Sequence, residues 1–233
     1  MSLTVVRRSE TLHSDQTSSS SPERLNDLLD ALHDIGRSLR YARGETIFEE
    51  ADPAHHLYRV VRGTVRLCRY SAGGRRHIAD FALPGDLFGV LTGEAQAVAA
   101  EAVTDAALIV YPRLHLDRLS EREPRLRANI LAHLSTRTLT GELPSFPTNH
   151  DAMARFAAFV LRHAERTGAI ETGMLDLAMS RQDIADHLGL PLETICRLVM
   201  RLRNEKVLGM AGAHQLVLRN VEALCELADG AMH

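Results

Sequence analysis

Residues 179–207, MSRQDIADHLGLPLETICRLVMRLRNEKV, constrain this chain more than any other stretch. Ala185, Gly189 and Ile195 stand at the spacing that lets two short helices cross closely around a tight turn. Ala185 leaves room on the first helix, Gly189 permits a left-handed backbone in the turn, and Ile195 packs the second helix back on the first. The pattern predicts a helix-turn-helix, a unit whose second helix enters the major groove of DNA.

The second helix carries the detail. Ile195, Leu198, Val199 and Leu202 form a core stripe. Glu193 and Arg197, four residues apart, share the opposite face with Arg201. Arg197, Arg201, Arg203 and Lys206 stand against one acid, Glu205. A glutamate accepts from cytosine N4 and an arginine grips guanine O6 and N7, so Glu193 and Arg197 are the candidate base readers. The remaining basic side chains and the helix N-terminal amides would hold phosphates. A solvated i,i+4 ion pair, worth about 0.2–0.5 kcal/mol, is the plain alternative for Glu193 and Arg197. The complete motif around them favours DNA.

The net charge of −3 over 233 residues gives no global basic field, so any DNA affinity must come from this local patch. With 45% hydrophobic residues the chain has material for one large or two small cores. Its three cysteines, Cys68, Cys196 and Cys225, are too few and scattered for a disulfide framework or a zinc site, which fits a reducing cytoplasm. Cys68 and Cys225 are expected in the core. No apolar run reaches the roughly 18–20 residues of a membrane span, and no membrane partner is expected.

The organisation follows from changes of pattern. Residues 1–22 are polar and read as a disordered tail without a signal-peptide core. Ser21-Pro22 starts a helix carrying Leu25, Leu28, Leu29 and Leu32. Short alternating runs follow at Thr46–Phe48, Leu57–Val61, Thr64–Tyr70, Arg76–Leu83 and Ala106–Tyr111, with a two-residue hairpin signal at Gly73-Gly74. Such spacing predicts a small barrel or jelly roll over residues 23–112. Residues 113–143 turn helical. Leu126, Ile130, Leu131 and Leu134 make a stripe that serves either as core or as a dimer seam, and a groove-reading helix needs a partner one DNA turn away. Pro144 and Pro147 break the helix and place a hinge at 144–149. Residues 150–233 then hold an amphipathic helix with Phe156, Val160 and Leu161 inside, the helix-turn-helix, a hairpin wing (Val207–Met210 and Gln215–Leu218) and a short helix, Val221 to Ala228.

Assembled in this order, the residues resemble the CRP/FNR superfamily of bacterial transcription regulators, and within it the FixK-like branch, from about Leu25 to Ala228. The resemblance is carried by Gly63-Thr64-Val65, by Leu83-Pro84-Gly85-Asp86-Leu87-Phe88-Gly89, by Glu193-Thr194-Ile195-Cys196-Arg197 and by the wing from Gly212 to Leu218. It implies an α+β chain: an N-terminal β-roll like the cyclic-nucleotide-binding jelly roll, a long dimerisation helix, and a C-terminal winged helix-turn-helix. It further implies a non-enzymatic homodimer that binds a palindromic TTGA-type site on double-stranded DNA, contacts RNA polymerase as an activator, and works under oxygen limitation or in nitrogen metabolism. Glu193 and Arg197 would read bases with Leu192 and Cys196 near the groove. Ser180, Arg181, Thr194, Arg201 and Gln215 would contact phosphates.

Three sensing modes of this fold can be tested against the residues. Relatives that bind cyclic nucleotides carry a Glu after the Gly and an Arg soon after; here Val90 follows Gly89, and residues 94–104, EAQAVAAEAVT, hold no Arg or Lys. Glu94 and Glu101 would repel a phosphate. An iron–sulfur cluster needs about four thiolates, more than the chain has. No motif marks a haem ligand or any metal site among the twelve histidines, and His55, His56, His77 and His115 read as surface or edge residues. The expectation is therefore a regulator without cofactor. A CRP-type regulator with an unidentified small-molecule or haem effector is the alternative, and a cupin-like metal-binding sensor or enzyme the reading from a different class. Ser180 stands where some relatives hold a redox cysteine. Cys196 replaces the family's serine beside Arg197 near a helix N-terminus, surroundings that favour a thiolate, and is the candidate for redox control; an inert replacement of serine is the plain alternative.

Overall fold

The computed structural model describes residues 35–89, 93–122, 128, 151–212 and 214–230. The expected tail, the leucine helix at 25–32, the seam of Leu126, Ile130, Leu131 and Leu134, and the 144–149 hinge lie outside these residues.

Among the described residues, eight strands build the N-terminal unit: β1 (Arg37–Tyr41), β2 (Thr46–Phe48), β3 (His56–Arg62), β4 (Val65–Tyr70), β5 (Arg76–Ala82), β6 (Leu87–Phe88), β7 (Ala99–Ala102) and β8 (Ala106–Pro112). They form two antiparallel sheets, ordered β1-β8-β3-β6 and β2-β7-β4-β5, as expected of a β-roll. Side chains from both sheets fill the interior, among them Phe48, Tyr58, Val60, Val65, Leu67, Phe88 and Leu108. The rings of Tyr58 and Phe88 stack at 5.2 Å, and Phe48 lies 5.1 Å from Tyr58.

Three strands escape the sequence patterns. β1 reads RSLRY and buries only part of Leu39 and Tyr41 at a sheet edge. β7 reads AAEA, a helix-favouring composition, yet pairs with β2 on one side and β4 on the other, so tertiary pairing overrides propensity. β6 has two residues. The β4–β5 hairpin forms, but its loop spans residues 71–75 rather than two, because the Ser71 carbonyl accepts from Gly74 N and the Ser71 hydroxyl from Arg75 N. At Gly63 the backbone takes φ +87°, and a Cβ would stand 2.4 Å from the Asp105 carbonyl oxygen, so only glycine fits between β3 and β4.

Helix α1 (Arg113–Arg122) leaves the roll. The C-terminal unit contains α2 (Ala152–Thr167), α3 (Ala169–Thr172), β9 (Met174–Asp176), α4 (Arg181–Leu188), α5 (Leu192–Asn204), β10 (Leu208–Met210), β11 (Gln215–Leu218) and α6 (Val221–Ala228). β9 joins the expected wing hairpin, giving a three-stranded sheet of order β10-β11-β9. Cys68 is buried as expected, but Cys225 is exposed. In the short α6 the buried residue is Leu224, and the next position along turns about 100° away from the core.

A continuous apolar cluster joins the two units. Cys68, Ile78, Phe81 and Val103 of the roll pack with Phe159, Val160 and Ile184 of the C-terminal unit. The outer face of the β2-β7-β4-β5 sheet thus supports α4.

Candidate nucleic-acid interface

Local rules build the motif. Ser180 caps α4: its hydroxyl accepts from Asp183 N at 3.1 Å, and the Asp183 carboxylate accepts from Ser180 N at 3.0 Å, a reciprocal capping box. Gly189 ends α4 with φ +63°, and its N–H and that of Leu190 reach the Ala185 carbonyl. Ala185 and Ile195 are fully buried against each other's helices, as their spacing predicts. Pro191 precedes α5 and offers no side-chain cap, so its carbonyl alone takes Thr194 N and Ile195 N. The amides of Leu192 and Glu193 keep no side-chain partner at the cap, which leaves them for an anion.

Helix α5 separates two faces. Ile195, Leu198, Val199 and Leu202 are buried. Leu192, Glu193, Arg197, Met200, Arg201 and Arg203 are exposed, with Leu192 at 40% and Met200 at 63% despite their apolar side chains. No ion pair joins Glu193 to Arg197; the Arg197 guanidinium lies 3.5 Å from the Thr194 hydroxyl instead. Both charged groups are open to a ligand. Arg201 pairs with Glu205 at 2.8 Å, an exposed contact on the same helix that a phosphate can displace at little cost.

The expected phosphate contacts fall around this face. Arg181 is exposed at the start of α4, with Nη1 3.7 Å from Cys196 Sγ on α5. Gln215 is exposed at the start of β11, beside the wing turn. Thr194 and Cys196 are half-buried. Ser180 differs from the rest: its hydroxyl also donates to Asp183 Oδ2 at 2.7 Å, so the proton a phosphate would take is already committed.

Sequence reasoning missed Asp183 and its partners. The S-x-x-D capping spacing at 180–183 was visible. The arginines that meet Asp183, Arg76 and Arg66, lie 107 and 117 residues earlier in the chain, and no local pattern points to them. Glu101 also takes a place the sequence did not suggest. It is held by Arg66 at 2.6 Å and by the Tyr70 hydroxyl at 2.6 Å on the outer face of the roll, while Ala100 and Ala102 on either side face inward. It therefore does not line the roll's interior, and its part in repelling a phosphate there falls away. Among the described residues no group of three or more His, Cys, Asp and Glu is placed to hold a metal, and no helix is long and apolar enough to cross a membrane.

Comparison with known proteins agrees with this architecture. The chain matches the cyclic nucleotide-binding domain family over residues 38–123 and the Crp-like helix-turn-helix domain family over residues 154–227. It is 36% identical over 198 residues to the nitrogen fixation regulation protein FixK of Azorhizobium caulinodans, spanning 83% of this chain and 79% of that one. It is 32% identical over 189 residues to the protein of the same name from Rhizobium meliloti, spanning 81% and 86%. The solved structure of FixK2 from Bradyrhizobium japonicum superposes with a TM-score of 0.78 at 35% identity, covering 83% of this chain and 97% of that one. The chain belongs to the CRP/FNR family of DNA-binding transcription regulators, in its FixK-like branch.

Proposed function

We propose that this regulator acts in the cytoplasm as a homodimeric activator, reading a palindromic TTGA-type site and contacting RNA polymerase, in the control of nitrogen metabolism under oxygen limitation. The observation that carries the reading is the open face of α5, where Glu193 and Arg197 stand exposed without an ion pair between them, beside exposed Leu192. Glu193 and Arg197 read base edges, and Leu192 supplies an apolar contact in the groove. Arg181, Arg201 and Gln215 hold phosphates, with Thr194 and the α4 N-terminus that Ser180 caps. The relatives named for nitrogen fixation regulation support the physiological setting. A second subunit, placed through the stripe of Leu126, Ile130, Leu131 and Leu134, sets the half-site spacing.

The roll works without a bound cofactor in this reading. Support comes from the aromatic packing of Phe48, Tyr58 and Phe88 inside it and from the lack of any basic residue in 94–104. The test is selection of bound DNA from a random pool, followed by titration with and without cyclic AMP. A two-fold-symmetric consensus bound equally in both conditions is expected. An asymmetric or absent consensus, or binding that requires the nucleotide, would overturn it.

A further inference from the structure

We infer that Arg76, assisted by Arg66, is a positioning residue for DNA binding: it clamps the first helix of the reading motif to the β-roll and offsets the charge of that helix's two carboxylates. This rests on the DNA-binding reading above and adds a residue set far from the groove to it.

Asp183 and Asp186 are the two acids of α4, and Arg76 of β5 meets both. Its Nη2 lies 2.7 Å from Asp183 Oδ1 and 2.7 Å from Asp186 Oδ2, and its Nε lies 2.9 Å from Asp186 Oδ2. Arg66 Nη1 adds a contact of 3.1 Å to Asp183 Oδ1, while its other donors are held by Glu101. Asp183 Oδ2, the other oxygen, accepts from the Ser180 amide and hydroxyl. One carboxylate, with a side chain only 6% exposed, therefore ties the β-roll to the capping box that starts α4. That start carries Arg181, and Arg181 reaches across to Cys196 on the reading helix.

Two consequences follow from the charges. A carboxylate in the first turn of a helix that approaches DNA is repelled by phosphates, and a guanidinium at contact distance offsets it. Removing one partner of a largely buried pair leaves the other uncompensated, which costs more than the pair is worth in isolation. A second anchor reinforces the docking: Arg166 of α2 bonds the Asp86 carboxylate and, at 2.9 Å, the Phe81 carbonyl of the roll. The docked arrangement leaves the face with Glu193, Arg197 and Arg201 exposed, so it is compatible with DNA. Any agent that separates the roll from α4 exposes Asp183 and Asp186 and lowers DNA affinity, and by reciprocity DNA binding favours the docked state.

The experiment compares the full-length protein with Arg76→Glu, Arg76→Gln and the charge swap Arg76→Glu/Asp186→Arg on the selected DNA site over a salt series, with a melting curve for each. Arg76→Glu is expected to weaken binding by about 5- to 150-fold, the usual span of a coupling between sites. Arg76→Gln moves the same way but less, and the charge swap recovers part of the loss, because Asp183 keeps only Arg66 of its two guanidinium partners. The salt slope stays that of the wild type, because Arg76 spends its donors on aspartates rather than phosphates. Equal binding by folded Arg76→Gln and wild type overturns the clamp, and so does a charge swap that melts like the wild type but binds no better than Arg76→Glu. A slope reduced by about one unit assigns Arg76 to a phosphate and overturns it too. Should Arg76→Glu not fold, the Arg76→Gln comparison decides. The two readings fail separately: a wild type that selects no DNA overturns the function proposed above, whereas a binding wild type with indifferent variants overturns the clamp alone.

Discussion

His187 of α4 places Nδ1 3.1 Å from the carbonyl oxygen of Ile78 in β5, so the first helix of the DNA-reading motif is hydrogen-bonded to the β-roll. His163 of α2 lies in the same apolar seam, with Phe159 4.2 Å from its ring and Nδ1 3.0 Å from the Phe159 carbonyl. Burial above all pushes His187 down to about 4 and His163 to about 3, from an ordinary value of 6.5. Both are neutral in the folded protein, and each donates through Nδ1–H.

The sign of the pH dependence follows. Between about pH 4 and 6.5 the unfolded chain binds protons that the folded chain refuses. The stability contributed by the two neutral imidazoles is full above 6.5 and is lost as pH falls below it, by up to about 1.4 kcal/mol per pH unit for each. Urea unfolding at fixed protomer concentration should show lower stability at pH 5.5 than at pH 7.5, and His187→Gln should flatten the difference. A wild type equally stable at both values would contradict the assignment.

Glu193→Ala and Arg197→Ala should each cost about 1–3 kcal/mol on the selected site and relax preference at one base pair per half-site. Arg201→Ala should weaken all sequences alike and reduce the salt slope by about one unit. Gel-shift titrations on matched and mismatched probes separate the two classes; a uniform loss from all three variants would mean that the reading face is misassigned.

Two glycines should respond differently to alanine. At Gly189 a Cβ meets nothing within 4 Å, so Gly189→Ala carries only the left-handed backbone cost, about 1–2 kcal/mol. Gly63→Ala adds a collision with the Asp105 carbonyl to the same backbone cost and should lower the melting temperature more. Thermal unfolding followed by circular dichroism checks the order.

Cys196 lies half-buried, one residue from Arg197 and 3.7 Å from the Arg181 guanidinium. If it is a redox switch, peroxide converts its thiol to a sulfenic acid and adds polar bulk at the edge of the reading face. DNA binding by the wild type should then fall with peroxide and return with reductant, while Cys196→Ser stays unaffected. Equal sensitivity of the two proteins would leave Cys196 an inert replacement for serine.

Much of this protein follows rules that act within a few residues. The crossing of Ala185 and Ile195, the left-handed turn at Gly189, the buried stripe from Ile195 to Leu202 and the wing from Gly209 to Leu218 were all readable from spacing. Periodicity and turn chemistry also delivered five of the roll's strands. The same rules missed the strand at Ala99–Ala102, which depends on neighbours at 46–48 and 65–68, and they placed Cys225 inside because they gave a two-turn helix no orientation.

The sequence by itself determined that a β-roll precedes a winged helix-turn-helix with Glu193 and Arg197 on its open face, because period, capping and glycine geometry are local properties of the chain. Only the tertiary structure decided what the other face of the motif meets. Arg66 and Arg76 reach Asp183 across 117 and 107 residues, and Glu101 turns outward to join them. Contacts of that span depend on how two sheets and a helix stack, and ion pairing between distant side chains leaves no periodic trace in the sequence.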